Sequence, residues 1–227
     1  MASPEPIRLS AEPGFELWLF ELQTQPALGW LAWLSEGERS KAARFVFERD
    51  RRRYLAAHTM LRHLLSRHTS IPPAQLEFNE GRFGKPALRH VADCSFNLSH
   101  SEDIAVLLIA ARGEIGVDVE MHRLMPDAQL LAERNFSRAE CASLRSIDSP
   151  QRDAAFLTGW TRKEACLKAV GSGLSIAPDT FTAGLTHEPC TTSIDTPDGC
   201  LEVAVQSFCH EQRLLVATAV VESHRTA

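Results

Sequence analysis

Asp118 and Glu120 stand two residues apart in Ile115-Gly116-Val117-Asp118-Val119-Glu120, and the segment Trp160-Thr161-Arg162-Lys163-Glu164-Ala165-Cys166-Leu167-Lys168 follows. Three carboxylates with flanking lysines are the residue types that a divalent cation and a phosphate require, hard oxygens for the one and ammonium groups for the other. In an extended strand, alternation sends Val117 and Val119 to one face and both acids to the other. At a rise of about 3.3 Å per residue the acidic Cα atoms lie about 7 Å apart, close enough for the carboxyl groups to share one ion. An apolar core would accept neither charge unpaired, and a strand with a solvated outer face is the alternative.

The second segment reads as a helix. At about 100° per residue, Phe156, Trp160 and Leu167 form one apolar stripe, and Glu164 falls within it, about 40° from Trp160. An acid on the buried side needs a cation; Lys163 and Lys168 flank the stripe, and Arg162 points the other way. An ordinary i,i+4 pair of Glu164 with Lys168, worth about 0.2–0.5 kcal/mol, explains the spacing but not the company of the tryptophan.

The elements that must position these residues read as a mixed α+β chain with mainly antiparallel pairing. A strand is expected from Phe15 to Leu22, one broken or two consecutive helices over 38–68, and a loop-rich stretch through Gly84-Lys85-Pro86. Ile104–Ala110 is a strongly apolar strand, which Arg112-Gly113 turns into the strand carrying the acids. Helices follow near 128–135, 138–145 and 153–170, with Gly171 placed to stop the last, and then a hairpin of 201–207 and 214–221 turning near 210–212. Two similar halves meeting near Gly113 are expected, 1–112 and 113–227, although no residue-level repeat proves a duplication.

The 227 residues are 44% hydrophobic, enough for a real core, and the net charge of −5 argues against a general nucleic-acid binder. Six cysteines without a CxxC pair or zinc spacing, together with the absence of a signal-peptide pattern or a membrane-length apolar run, indicate a reduced cytoplasmic protein. In Phe96-Asn97-Leu98-Ser99-His100-Ser101 the hydroxyls and imidazole either serve as turn and cap groups or hold phosphate oxygens. Lys85 projects from a loop stiffened by Pro86, and the run Arg49 to Arg53 reads as a wet helix face with the option of an anion contact. His58, His63 and His68 scatter around their helix, and Gly171-Ser172-Gly173 lacks the third glycine of a dinucleotide fingerprint.

Taken together, Gly116-Val-Asp118-Val-Glu120 and Trp160-Thr-Arg-Lys163-Glu164-Ala-Cys-Leu-Lys168 resemble the two-part signature of the 4′-phosphopantetheinyl transferases, and the chain length is similar to that of the larger, surfactin-synthetase-activating subclass. Phe45-Val-Phe47 with Arg53, Gly84-Lys85-Pro86 and Phe96 to Ser101 extend the match upstream, from about Ser35 to Leu174. The resemblance implies two pseudo-twofold lobes, each a small sheet with a long helix, with coenzyme A in the cleft between them. It implies transfer of the phosphopantetheine arm to a serine of an apo acyl or peptidyl carrier protein, releasing 3′,5′-ADP. Asp118, Glu120 and Glu164 would hold Mg²⁺ or Mn²⁺; Glu164 and Lys168 would be catalytic; Lys41, Arg53, Lys85, Ser99, His100, Lys163 and Lys168 would hold the coenzyme. Where some members carry a lysine near the 3′-phosphate this chain has Glu38, which leaves more of that contact to Lys41 and Arg53. A carrier dock is expected near 121–145, with Arg123, Arg134, Arg138, Leu124 and Met125, and a monomer that binds neither nucleic acid nor membrane. The alternatives are a Mg²⁺-dependent nuclease, disfavoured because no lysine follows Glu120, and a non-catalytic coenzyme- or carrier-binding module.

Overall fold

The computed structural model describes residues 5–10, 14–81 and 84–222. Strands β1 (Ile7–Ser10) and β2 (Phe15–Glu21) lead into helices α1 (Leu28–Leu31), α2 (Glu36–Ala43) and α3 (Glu48–Thr69). A small pair, β3 (Phe78–Glu80) and β4 (Pro86–Leu88), precedes β5 (Ser95–Ser101), β6 (Ile104–Ala110) and β7 (Ile115–Met121). Helices α4 (Ala128–Asn135), α5 (Arg138–Ser146) and α6 (Ser149–Val170) come next, then β8 (Cys190–Thr196), β9 (Gly199–His210) and β10 (Leu214–Val221).

Two antiparallel four-stranded sheets result, in the orders β1-β2-β6-β5 and β7-β10-β9-β8. Each lobe repeats one plan: a first strand, a long helix, then a hairpin whose second strand pairs with the first. The helices α3 and α6 are each 22 residues long and end in a left-handed cap, Ser70 at φ 61° and Gly171 at φ 73°. The α+β, two-lobed expectation is met. The residues between β6 and β7 do not close a hairpin, however: β6 stays in the first sheet and β7 crosses to open the second. Ser99 and Ser101 are neither turn nor cap residues but lie within β5, whose hairpin with β6 turns after them.

The core explains the strand most legible in the sequence. All seven residues of β6 are buried because the strand is covered on both faces. Ala105, Leu107 and Ile109 pack with Leu61, Leu64 and Leu65 of α3, whereas Val106, Leu108 and Ala110 meet Ile115, Val117 and Val119 of the second lobe. The lobes thus share one apolar layer. Among the described residues no helix is long and apolar enough to cross a membrane, and all six cysteines are free thiols.

Glu38 is an organising residue of the first lobe. It completes a capping box with Ser35 at the start of α2, and its carboxylate accepts from Arg62 Nη2 at 2.7 Å. Arg62 is buried and also donates to the carbonyls of Pro73 and Leu76, so one guanidinium ties α2, α3 and the following loop together. Burial would raise the Glu38 carboxyl, but hydrogen bonds from His58, Arg62 and the Ser35 amide outweigh it and hold it at about 2. A carboxyl lowered by folding contributes stability above its unfolded pKa and loses it as pH falls through its folded one. Replacing Glu38 with Gln should therefore cost about 3 kcal/mol at neutral pH. In thermal unfolding followed by circular dichroism, the gap between variant and parent should narrow as pH falls from about 5 toward the acid limit.

Candidate active site

The site begins with a missing side chain. At Gly116 a Cβ atom would stand 2.1 Å from the Ala165 carbonyl oxygen and 2.4 Å from the Ala169 amide nitrogen. Only glycine lets α6 lie backbone against backbone on β7, and that contact brings the open side of the helix to the acids. The helix is buried on most sides, including Phe156, Leu157, Arg162, Lys163, Cys166 and Leu167. Trp160, Glu164 and Lys168, spaced by four, form its partly exposed stripe. The helical-wheel reading is corrected accordingly: Glu164 shares a face with Trp160, but that face is the open one.

Lys168 Nζ donates to Asp118 Oδ1 at 2.6 Å and to Ser99 Oγ at 2.9 Å, and the Ser99 hydroxyl donates to the same Asp118 oxygen at 2.7 Å. Asp118 is buried, and burial pushes its carboxyl up; Lys168 and the Ser99 hydrogen bond act against that rise, and the Glu120 charge adds to it. Glu120 accepts from Ser101 Oγ at 3.0 Å and from Arg123 Nη1 at 2.7 Å. Glu164 is also held above the usual carboxylate range, first by burial and then by repulsion from Asp118 and Glu120, with Lys168 opposing. Three acids therefore repel one another around one ammonium group. Among the described residues no three His, Cys, Asp or Glu side chains converge in a ligating cluster.

Other predicted residues surround this centre at different distances from it. His100 is exposed overall but its ring is partly shielded from water, which lowers its pKa; repulsion from Lys168 and Arg53 lowers it further, and Asp118 and Asp50 oppose the shift. Arg53 is anchored by Asp103 at 2.7 Å. Lys85 bonds to Glu114 at 2.8 Å and to the Ala169 carbonyl at 3.0 Å, at the end of α6 where the helix dipole favours a cation. Beside it runs a cleft of about 340 Å³ between the lobes, lined by Gly81, Pro86, Phe96, Val170 and Gly171. Lys41 is exposed on α2, its ammonium 5.5 Å from the Tyr54 ring centroid.

Lys163 is a correction. It is completely buried on the other side of α6, 2.8 Å from Glu140 Oε2, and donates to the carbonyls of Pro178 and Phe181. Burial lowers its pKa and Glu140 opposes that shift. Adjacent positions on a helix diverge by about 100°, so Lys163 cannot share the open stripe with Glu164. Glu140 in turn accepts from the Ala183 and Gly184 amides at 2.9 and 3.1 Å, and Arg162 bonds to the carbonyls of Ala183 and Glu188. These cations fasten the 178–190 loop to the helix. The Ser137-x-x-Glu140 capping pattern was the available sequence signal for Glu140. Asn97, unassigned from sequence, and Ser101 sit with Ser99 at every second position of β5 and face β7.

The fold is a two-lobed α+β arrangement in which a lysine of the second long helix meets a buried aspartate of β7, with two further carboxylates nearby. Comparison with known proteins gives the family. Residues 23–112 match the family described as "4'-phosphopantetheinyl transferase, N-terminal", and residues 114–218 match the "4'-phosphopantetheinyl transferase superfamily". The chain is 34% identical to 4'-phosphopantetheinyl transferase HetI of Nostoc sp. over 181 residues, 78% of this chain and 76% of that protein. It is 30% identical to 4'-phosphopantetheinyl transferase Sfp of Bacillus subtilis over 168 residues, 74% and 73% of the two chains. The protein belongs to the 4'-phosphopantetheinyl transferase superfamily. It is an enzyme that transfers phosphopantetheine from coenzyme A to carrier proteins, and the nuclease and binding-module readings find no support in these relationships.

Two substitutions separate the parts of α6. Gly116→Ala should destabilise the fold by at least about 3 kcal/mol, because rigid backbone on both sides must move. Lys163→Met should also cost about 3 kcal/mol by leaving Glu140 buried without its cation, yet leave the coenzyme KM of the folded enzyme unchanged. Chemical denaturation and steady-state kinetics on the same preparations check both.

Proposed function

We propose that the enzyme modifies a serine of an apo acyl or peptidyl carrier protein, releasing 3′,5′-ADP, at the site formed by Ser99, Asp118, Glu120, Glu164 and Lys168. The observation that carries this reading is the bonded set Lys168–Asp118–Ser99 with the charges of two further carboxylates acting on it. The donor set fits Mg²⁺, or Mn²⁺: its oxygens are hard, and Asp118 and Glu164 are raised first by burial and then by neighbouring carboxylates, a repulsion that a dication would relieve. Asp118, Glu120 and Glu164 would hold the ion, which supplies charge neutralisation at the pyrophosphate.

The remaining work belongs to the protein's own groups. Lys168 keeps an ammonium beside the cleft where the leaving phosphate oxygens gather charge, and His100, Arg53, Lys41 and Lys85 are the donors for the coenzyme's phosphates. Ser99 is buried, so it acts on Asp118 and Lys168 as well as on any phosphate it meets. Glu164 is the base for the carrier serine, directly or through water, a role worth about 10²–10⁴-fold that competes with its holding the ion. Leu124, exposed beyond β7, and Arg123 mark the beginning of the carrier dock. We take the lobe boundary at Arg112-Gly113, the enzyme as a monomer because both halves of the cleft lie on one chain, and its location as cytoplasmic.

The test is the intact mass of an apo acyl carrier protein incubated with the enzyme, coenzyme A and Mg²⁺, with EDTA as control. A gain of about 340 Da that EDTA abolishes is expected, and a gain indifferent to EDTA would remove the metal from the reading. Glu164→Gln should lower kcat by about 10²-fold or more while coenzyme binding holds. Nearly unchanged turnover would end its assignment as the base.

A further inference from the structure

We propose that Asn97 and Ser101 are positioning residues for the acid site, acting as side-chain rungs that replace a backbone ladder between the lobes. The strands β5 and β7 are each the free edge of their own sheet, and they meet without pairing. An edge strand leaves every second amide and carbonyl without a ladder partner, and at a junction closed from water those groups must be met by something else. Asn97 Oδ1 accepts the Val117 amide at 2.9 Å, and Ser101 Oγ accepts the Met121 amide at 3.3 Å. Between these points the Ser99 hydroxyl holds Asp118, and the Ser101 hydroxyl holds Glu120 at 3.0 Å. The stretch carrying both acids is therefore pinned at each end and at each carboxylate, all from alternate residues of β5.

The pseudo-equivalent junction shows what happens without rungs. The extra strands β1 and β8 cover the edges of β2 and β9 that would correspond to those of β7 and β5, so no free edges meet there. Aligned from the hairpin turns, the positions of Asn97, Ser99 and Ser101 on β5 correspond to Gln206, Phe208 and His210 on β9. There the sheets part around a cavity of about 380 Å³ in which Leu17, Leu108 and Phe208 are joined by Gln206, Ser207 and Thr218. The junction with rungs carries the acids and shows no such cavity among the described residues. At the other, Gln206 lines the cavity.

The proposal uses the phosphopantetheinyl transfer reaction as its readout; failure of the parent enzyme to modify any carrier would strike that assignment, whereas the rungs are tested by variants of an active parent. In folded Ser101→Ala the kcat should fall about tenfold with the coenzyme KM within about twofold, and Ser101→Thr, which keeps the hydroxyl, should restore most of it. Amide hydrogen exchange at Met121 should speed up in the alanine variant and return toward the parent rate in the threonine one. Asn97→Ala should add the same acceleration at Val117; if that variant does not fold, the serine pair decides alone. An unchanged kcat in folded Ser101→Ala, or a raised coenzyme KM with kcat intact, would overturn the proposal, the latter by placing Ser101 on the coenzyme.

Discussion

The contact between the backbone of β7 at Gly116 and that of α6 at Ala165 and Ala169 is the constraint on which the site depends. It fixes how far the helix stands from the strand, and so whether Lys168 can reach Asp118 and whether Glu164 can feel both strand acids. A charged group as buried as Asp118 survives only with close counter-charge and hydrogen bonds. The glycine supplies the proximity, Lys168 the charge and Ser99 the hydrogen bond. The other faces of α6 secure that arrangement, since Arg162 and Lys163 turn a loop into a brace and leave the helix no freedom to roll.

Much of the fold could be read from the chain because its signals were local. The apolar run of β6, the alternation of β7 and the αL glycine after α6 are short-range patterns with one physical outcome each. What could not be read was set by partners distant in sequence. Lys163 and Glu164 stand about 100° apart on the helix, and which of the two faces is sealed is set by the packing of the 178–190 loop. Asn97, Ser99 and Ser101 have weak strand propensity, and they occupy a strand because its edge needs polar side chains that can stand in for a ladder. In β8 only Thr192 and Ile194 are buried, so its alternation carries little hydrophobic contrast. Glu38, read as a possible weakening of the coenzyme grip, turns out to hold Arg62, a partner 24 positions on.

The contacts of the candidate site were less legible than its residues. Lys168 meets Asp118 and Ser99, Glu164 feels the charges of Asp118 and Glu120 without bonding to them, and Glu120 is held by Ser101 and Arg123. Ser99 faces inward, and Lys163 is withdrawn from the cleft altogether. The distinction between a residue that meets a ligand and one that holds such a residue is three-dimensional, because both kinds occupy alternating positions on the same short elements.

The repeated plan of the lobes carries different residues at the positions that matter. Counted from the hairpin ends, β2 has Trp18 where β7 has Asp118, and Glu16 where β7 has Gly116. Counted back from the left-handed caps, α3 has Arg67 where α6 has Lys168, and the Arg67 guanidinium lies 5.5 Å from the Trp18 ring centroid. The same geometric motif, a helix cation over a strand side chain, is kept with an indole in place of a carboxylate. A side chain at the glycine position keeps backbone contact out of reach there. No single exchange could awaken that half: an acid at 18 would lack the close helix, and a glycine at 16 would lack the acid. The charged contact at this point of the plan is thereby confined to the second lobe.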